Sequence, residues 1–143
     1  VTTVSRQTIL DEAQSWLGTP FHDCASEKGV GVDCAMLLKK VFENSGAVEL
    51  FDAGIYSPQW FLHRDQELFM DTVRRYAREV SEDEVLPGDI VLYKIGRCYA
   101  HGAIVESWPH SIIHAHKASG RVIRTTADDS DMRGRLRKFF TLW

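Results

Sequence analysis

The stretch G-V-G-V-D-C-A-M-L-L-K-K-V-F, from Gly29 to Phe42, constrains this chain more than any other. Counting from Cys34, the apolar residues Leu37, Leu38, Val41 and Phe42 fall at i+3, i+4, i+7 and i+8, one face of a helix. Lys39, Lys40, Glu43 and Asn44 take the other face. Asp33 is a good N-cap, and Gly46 stands where a C′ glycine belongs. Cys34 therefore sits in the first turn, at the head of the buried stripe. Unpaired backbone N–H groups and the positive end of the helix dipole favour a thiolate there, and a thiolate is the attacking form of cysteine. The plainer reading is a small hydrophobe opening a buried face, and the segment alone does not decide between them.

At 143 residues the chain predicts a single domain over 1–143, long enough to bury a core without staples. A net charge of −3 provides no global basic field, so no nucleic-acid partner is expected. No apolar run approaches the length of a membrane span, so no membrane insertion is expected, and no signal-peptide pattern opens the sequence. Cys24, Cys34 and Cys98 are odd in number and lack paired spacing, which favours free thiols over a disulfide framework.

The periodicity changes along the chain. Ser5 caps a predicted helix to about Leu17, with Ile9, Leu10, Ala13, Trp16 and Leu17 on one face and Gly18 ending it. Phe21 to Val32 reads as a loop, and Ala47 to Ser57 as an irregular crossing. Ser57-Pro58 reads as a helix start, and Asp65 to Val80 as a further amphipathic helix. Ser81 to Glu84 is an acidic turn. From Leu86-Pro87-Gly88-Asp89 onward the pattern is of strands: Ile90–Ile95, Ala100–Glu106, Ser111–His116, Arg121–Thr125 and Phe139–Trp143. Helices first and a strand meander second predict an α+β domain, N-terminal helices packed on a C-terminal antiparallel sheet.

Three of the six histidines, His101, His114 and His116, lie on predicted strands of the C-terminal half. A hairpin centred between Ser107 and Trp108 sets His101 opposite His114, and opposed residues share a face with Cβ atoms about 5 Å apart. With the helix-start cysteine nearby, two imidazoles make a nucleophile, base and orienter set. His116 shares the face of His114, so spacing does not choose between them, and histidines that are merely half-exposed strand residues fit the pattern too. Metal ligation is the weaker alternative. Neither His22, Asp23, Cys24 and Cys34 nor His114 and His116 have zinc-site spacing, so neither a metal nor another cofactor is expected. The basic residues from Lys117 to Lys138 are diluted by Asp128, Asp129 and Asp131 and read as a solvated face, or else as a docking patch for an acidic partner.

Five segments taken in order, W-L-G-T-P-F (Trp16–Phe21), V-D-C-A (Val32–Ala35), L-P-G-D-I-V (Leu86–Val91), H-G-A-I (His101–Ile104) and I-I-H-A (Ile112–Ala115), resemble the NlpC/P60 family of papain-like cysteine peptidases. The long G-T-P-F…K-G-V-G-V-D-C stretch is most similar to the version encoded with phage tail genes. The resemblance implies a papain-like NlpC/P60 fold, Cys34 as nucleophile, His101 as base and His114, rather than His116, as the third polar residue. It implies peptidoglycan stem peptides as substrate, cut near γ-D-glutamyl linkages to diamino acids. It also implies other phage tail proteins as partners, and a phage virion tail, or the host cytoplasm before assembly, as the location. Phe21, His22 and Asp33 are the expected substrate-binding positions. Two departures stand out. Ala35-Met36 replaces the usual serine-glycine after the cysteine. Phe21 replaces a tyrosine whose hydroxyl points into the family's site, and His22 is the candidate substitute. These departures motivate a second reading, a tail-tip assembly module of the same fold that does not hydrolyse and docks through its C-terminal basic end. A third keeps the thiol but not the substrate, an amidase or acyltransferase on another γ-glutamyl or acyl compound.

Overall fold

The computed structural model describes residues 2–48, 67–129 and 131–143. Helix α1 (Arg6–Gln14) starts at Ser5, whose side chain accepts from the Thr8 N–H, and buries Ile9 and Ala13. Helix α2 (Cys34–Asn44) starts at Asp33, whose carboxylate accepts from the Met36 N–H, and it buries Leu37, Leu38, Val41 and Phe42. Gly46 adopts the positive φ expected of a C′ glycine. Between these helices the expected loop contains a two-residue antiparallel ladder, β1 (Ser26–Glu27) with β2 (Gly31–Val32). Helix α3 (Leu68–Arg74) is shorter than its periodicity predicts. Its expected extension to Val80 instead forms β3 (Arg78–Val80), drawn into pairing with Phe139–Thr141. The predicted helix start at Ser57-Pro58 lies outside the described residues. Ser81–Glu84 is a capped 3₁₀ turn, solvated as expected.

Strands β4 (Ile90–Ile95), β5 (Cys98–Ser107), β6 (Ser111–His116), β7 (Arg121–Thr125) and β8 (Arg137–Thr141) follow. With β3 they form a six-stranded sheet in the order β3-β8-β4-β5-β6-β7, antiparallel at every pairing. The alternation of side chains explains why Ile90 to Tyr93 are all buried. Ile90 and Leu92 join Ile104, Ile113 and Phe140 in the core shared with α1, α2 and α3. Val91 and Tyr93 join Ala103, Val105, Ile112 and Phe139 in a second cluster, which Met132 and Trp108 help to close. The fold is therefore α+β, with helices on one face of an antiparallel sheet.

Two contacts fix the helix layer to the sheet. Arg6 donates to Asp89 Oδ1 at 2.8 Å and to the Pro87 carbonyl at 2.9 Å, and its guanidinium lies 4.1 Å from the Trp143 ring centroid. Gly102 on β5 is the point of closest approach. A Cβ built there meets Phe69 Cζ at 2.9 Å, Leu38 Cδ2 at 3.1 Å and Leu92 Cδ2 at 3.2 Å. We expect Gly102→Ala to cost roughly 1–3 kcal/mol of stability by overpacking, more than the stiffer unfolded chain returns. A urea midpoint equal to or above that of the wild type contradicts this account of the layer spacing.

Candidate active site

Cys34 is placed by its neighbour. Asp33 is 1% exposed, and its two carboxylate oxygens accept from different backbone N–H groups, Met36 at 2.9 Å and Cys24 at 2.7 Å. One oxygen starts α2; the other draws in the preceding loop, where Cys24 takes a φ of 64°. The expectation of a substrate contact at Asp33 gives way to a role inside the scaffold, because the carboxylate is buried and occupied by backbone. Phe21 and His22 lie on the adjoining segment. Phe21 bridges to Val32 and packs against the main core, whereas His22 is exposed and hydrogen-bonds through its N–H to the Val32 carbonyl.

The thiol meets β5 beside His101. Sγ lies 3.7 Å from the Ala100 carbonyl oxygen, and the Gly102 N–H reaches the sulfur from the other side of His101. No hydrogen bond joins Sγ to the His101 ring among the described residues. The thiolate expected from the helix start is disfavoured. Dense protein around the half-buried Cys34 denies a thiolate its hydration, and this pushes the thiol up to about 12. The Asp33 carboxylate pushes the same way, and the N–H groups of Gly102, Ala35 and Cys34 oppose it without prevailing. The favourable helix start is outweighed by desolvation of the sulfur and by the charge of the capping residue itself.

The histidines form a buried row. His101 Nε2 lies 2.8 Å from His114 Nδ1, with the rings edge to face at 77°. The register that brings them together differs from the expected one. β5 and β6 pair Ile104 with Ile113 and Val105 with Ile112, two residues out from the predicted alignment. A slip of two keeps every side chain on its face, so the contact is diagonal rather than directly across, within reach of long side chains. His114 Nε2 continues to Thr125 Oγ1 on β7 at 2.9 Å. His116 belongs to a different group. Its Nδ1 lies 2.6 Å from Ser119 Oγ and accepts the Ser119 N–H, while its Nε2 is 2.6 Å from Asp131 Oδ2.

Burial holds His101 well below the ordinary imidazole value, with the neighbouring His114, His116 and Arg135 acting in the same direction. Burial likewise lowers His114 to about 4. At neutral pH the pair is uncharged, so each ring carries one N–H and one lone pair. Thr125, Ser119 and Asp131 were not singled out from sequence. Thr125 shares a strand face with nothing that marks it, and Asp131 reaches His116 from a turn fifteen residues away. Both ring nitrogens of His114 and of His116 have protein partners. Among the described residues no group of three His, Cys, Asp or Glu side chains converges as ligands. All three cysteines are free thiols.

No family model matches the sequence, and no curated protein matches it. Solved structures match its fold. The NlpC/p60 domain of the peptidoglycan hydrolase SagA superposes with a TM-score of 0.65 at 19% identity, covering 94% of this chain and 97% of that one. The peptidoglycan hydrolase RipB from Mycobacterium tuberculosis gives 0.62 at 17% identity, covering 96% of this chain and 64% of that one. RipD, also from Mycobacterium tuberculosis and described as a non-catalytic NlpC/p60 domain protein adapted to peptidoglycan binding, gives 0.63 at 12% identity, covering 96% and 97%. The fold is that of NlpC/P60 domains.

Two measurements follow from the electrostatics. In the free protein Cys34 should be alkylated by iodoacetamide at pH 8 at least about tenfold more slowly than a thiol of ordinary pKa near 8.5. Asp33→Asn keeps a capping side chain and removes the opposing charge, so it should speed the reaction. An alkylation midpoint below 8.5 in the wild type contradicts the neutral thiol. The histidines give a pH dependence of folding. Their pKa values are lower folded than unfolded, so the unfolded chain binds more protons as pH falls. Stability should therefore be full above about 6.5 and decline toward about 4, and His114→Gln should flatten that decline in urea melts taken across the range.

Proposed function

We propose that this chain is a cysteine peptidase acting on bacterial cell-wall peptide, with Cys34 as nucleophile, His101 as base and His114 as orienter. The observation that carries the reading is the buried His101–His114 pair set where the first residue of α2 meets β5. Nε2 of His101 is taken by His114, so Nδ1 is the nitrogen left to receive the thiol proton. The Cys34 side chain must first turn from the Ala100 carbonyl. Sulfur then attacks the scissile carbonyl carbon as its proton passes to Nδ1, and the imidazolium returns that proton to the leaving amine. Water, deprotonated by His101, hydrolyses the resulting thioester. The first N–H groups of α2 are the donors at hand for the oxyanion. Phe21 contributes no hydroxyl, so any further donor has to come from elsewhere, with the exposed His22 the nearest candidate in sequence.

The substrate proposed is a peptidoglycan stem peptide cut at a γ-D-glutamyl–diamino acid bond, in a phage tail that opens the wall during infection. Support for this comes from the five ordered segments and from a fold shared with domains of peptidoglycan hydrolases. Docking to other tail proteins through the basic C-terminal end has less support. Arg124 pairs with Glu106, Arg137 with Asp128 and Lys138 with Glu79, so much of that charge is neutralised within the chain.

A second reading, cell-wall binding without cleavage, has one specific observation in its favour. A thiol held near 12 beside a neutral imidazole is a poor resting nucleophile, and RipD shows the fold in a non-catalytic, peptidoglycan-binding protein.

Digestion of purified muropeptides, followed by mass spectrometry, separates the two. Wild type should release fragments, Cys34→Ala and His101→Ala almost none, and His114→Ala should lose up to about 10⁴ in rate. The double histidine variant should be no worse than the poorer single one, because base and orienter act as a unit. His116→Ala, outside the row, should matter far less. Retention on insoluble peptidoglycan with no fragment released by the wild type would establish the binding reading instead.

A further inference from the structure

Thr125 stands at the end of the row that begins at His101, and its hydroxyl is the partner of His114 Nε2 among the described residues. His114 is 0% exposed, so water does not compete for either of its nitrogens. A neutral imidazole has one N–H, and the position of that proton on one ring dictates the position on the next. For His101 Nδ1 to accept a proton, His101 must carry its own on Nε2 and donate it to His114 Nδ1. His114 must then carry its proton on Nε2, where only an acceptor can satisfy it. The Thr125 hydroxyl supplies that acceptor. In the reversed row His114 donates from Nδ1 to His101 Nε2, the proton of His101 moves to Nδ1, and the base is disabled.

Without the hydroxyl the two rows are no longer equivalent. The working row leaves a buried N–H without a partner, whereas the reversed row leaves a bare acceptor, which folded proteins tolerate more readily. From this geometry we infer that Thr125 is a positioning residue: its hydroxyl gives the Nε2–H form of His114 the acceptor it needs, and so allows Nδ1 of His101 to stay free to take the Cys34 proton. The inference rests on the cysteine peptidase reading for its consequence in turnover, and on the hydrogen-bonded row alone for its consequence in protonation.

The test uses Thr125→Val, which keeps the β-branched shape without the hydroxyl, and Thr125→Ser, which restores it. Nitrogen-15 NMR of histidine-labelled protein at neutral pH reports which ring nitrogen of His114 carries the proton. Wild type and Thr125→Ser should show it on Nε2, and Thr125→Val should move it to Nδ1. On stem-peptide substrate Thr125→Val should lower kcat by about ten- to a hundredfold, the range for lost outer partners of functional imidazoles, with KM little changed and with recovery in Thr125→Ser. A wild-type His114 protonated on Nδ1, or a Thr125→Val spectrum identical to that of wild type, overturns the inference. Where the wild type is active, so does equal turnover in the valine and serine variants. If the wild type releases no fragment while the spectra shift as stated, the peptidase reading fails and the role of Thr125 in the row stands.

Discussion

The carboxylate of Asp33 does two jobs that pull in opposite directions, and the site is built on that conflict. Its oxygens accept the Met36 and Cys24 N–H groups, so one buried side chain both starts α2 and gathers the loop before it. That fixes where Cys34 stands. The same negative charge, beside a thiol already stripped of water, keeps the proton on sulfur. A neutral cap such as serine would serve the helix nearly as well without that electrostatic cost. A charged acceptor makes the stronger hydrogen bonds, and here it makes two of them in a buried place. Position has been favoured over resting reactivity.

The other half of the site comes from the sheet, and the two halves meet because the layers pack closely at one residue. Leu38 of α2, Phe69 of α3 and Leu92 of β4 crowd the space where Gly102 would carry a Cβ. The glycine directly after His101 therefore lets the helix layer descend onto β5. Its N–H is also one of the groups reaching the Cys34 sulfur. The separation of Cys34 from His101 is thus a property of the hydrophobic core.

Much of this was legible from residue order. Asp33 as cap, Cys34 as first helical residue, Gly46 as C′ position and the strands from Ile90 to Thr125 all follow from local periodicity and turn chemistry. What was not legible is non-local. Arg78–Val80 reads as the end of a helix until β8, some sixty residues later, offers it a strand partner. The hairpin register differs by two residues because Ser107 pairs with Ser111, placing the turn at Trp108 to His110, and the irregularity between Val105 and Ser107 takes back one residue of that shift. The histidines met nonetheless, since an even slip preserves the face and imidazoles are long enough to bridge the diagonal. The helix terminus at Cys34 can be read from sequence, whereas the burial of its sulfur atom, which raises the thiol pKa, cannot.

Burial moves the thiol up and the imidazoles down, and both shifts act against separated charge. A resting thiolate–imidazolium pair would need each group to hold its less hydrated form in a place that penalises both. His114 does not reverse this, being neutral where a carboxylate orienter would stabilise the imidazolium outright. In the proposed reaction the least charged species would therefore be favoured: the neutral pair before attack and a neutral thioester after it. Charge would exist chiefly while the carbonyl oxygen carries it, next to the N–H groups that open α2. In the proposed reaction the proton on sulfur would best be moved as the new bond forms rather than beforehand, and the burden would fall on the aim of His101 Nδ1. That aim is set by hydrogen bonds running through His114 to Thr125 and by packing at Gly102, so the chemistry would depend on buried contacts that touch no substrate.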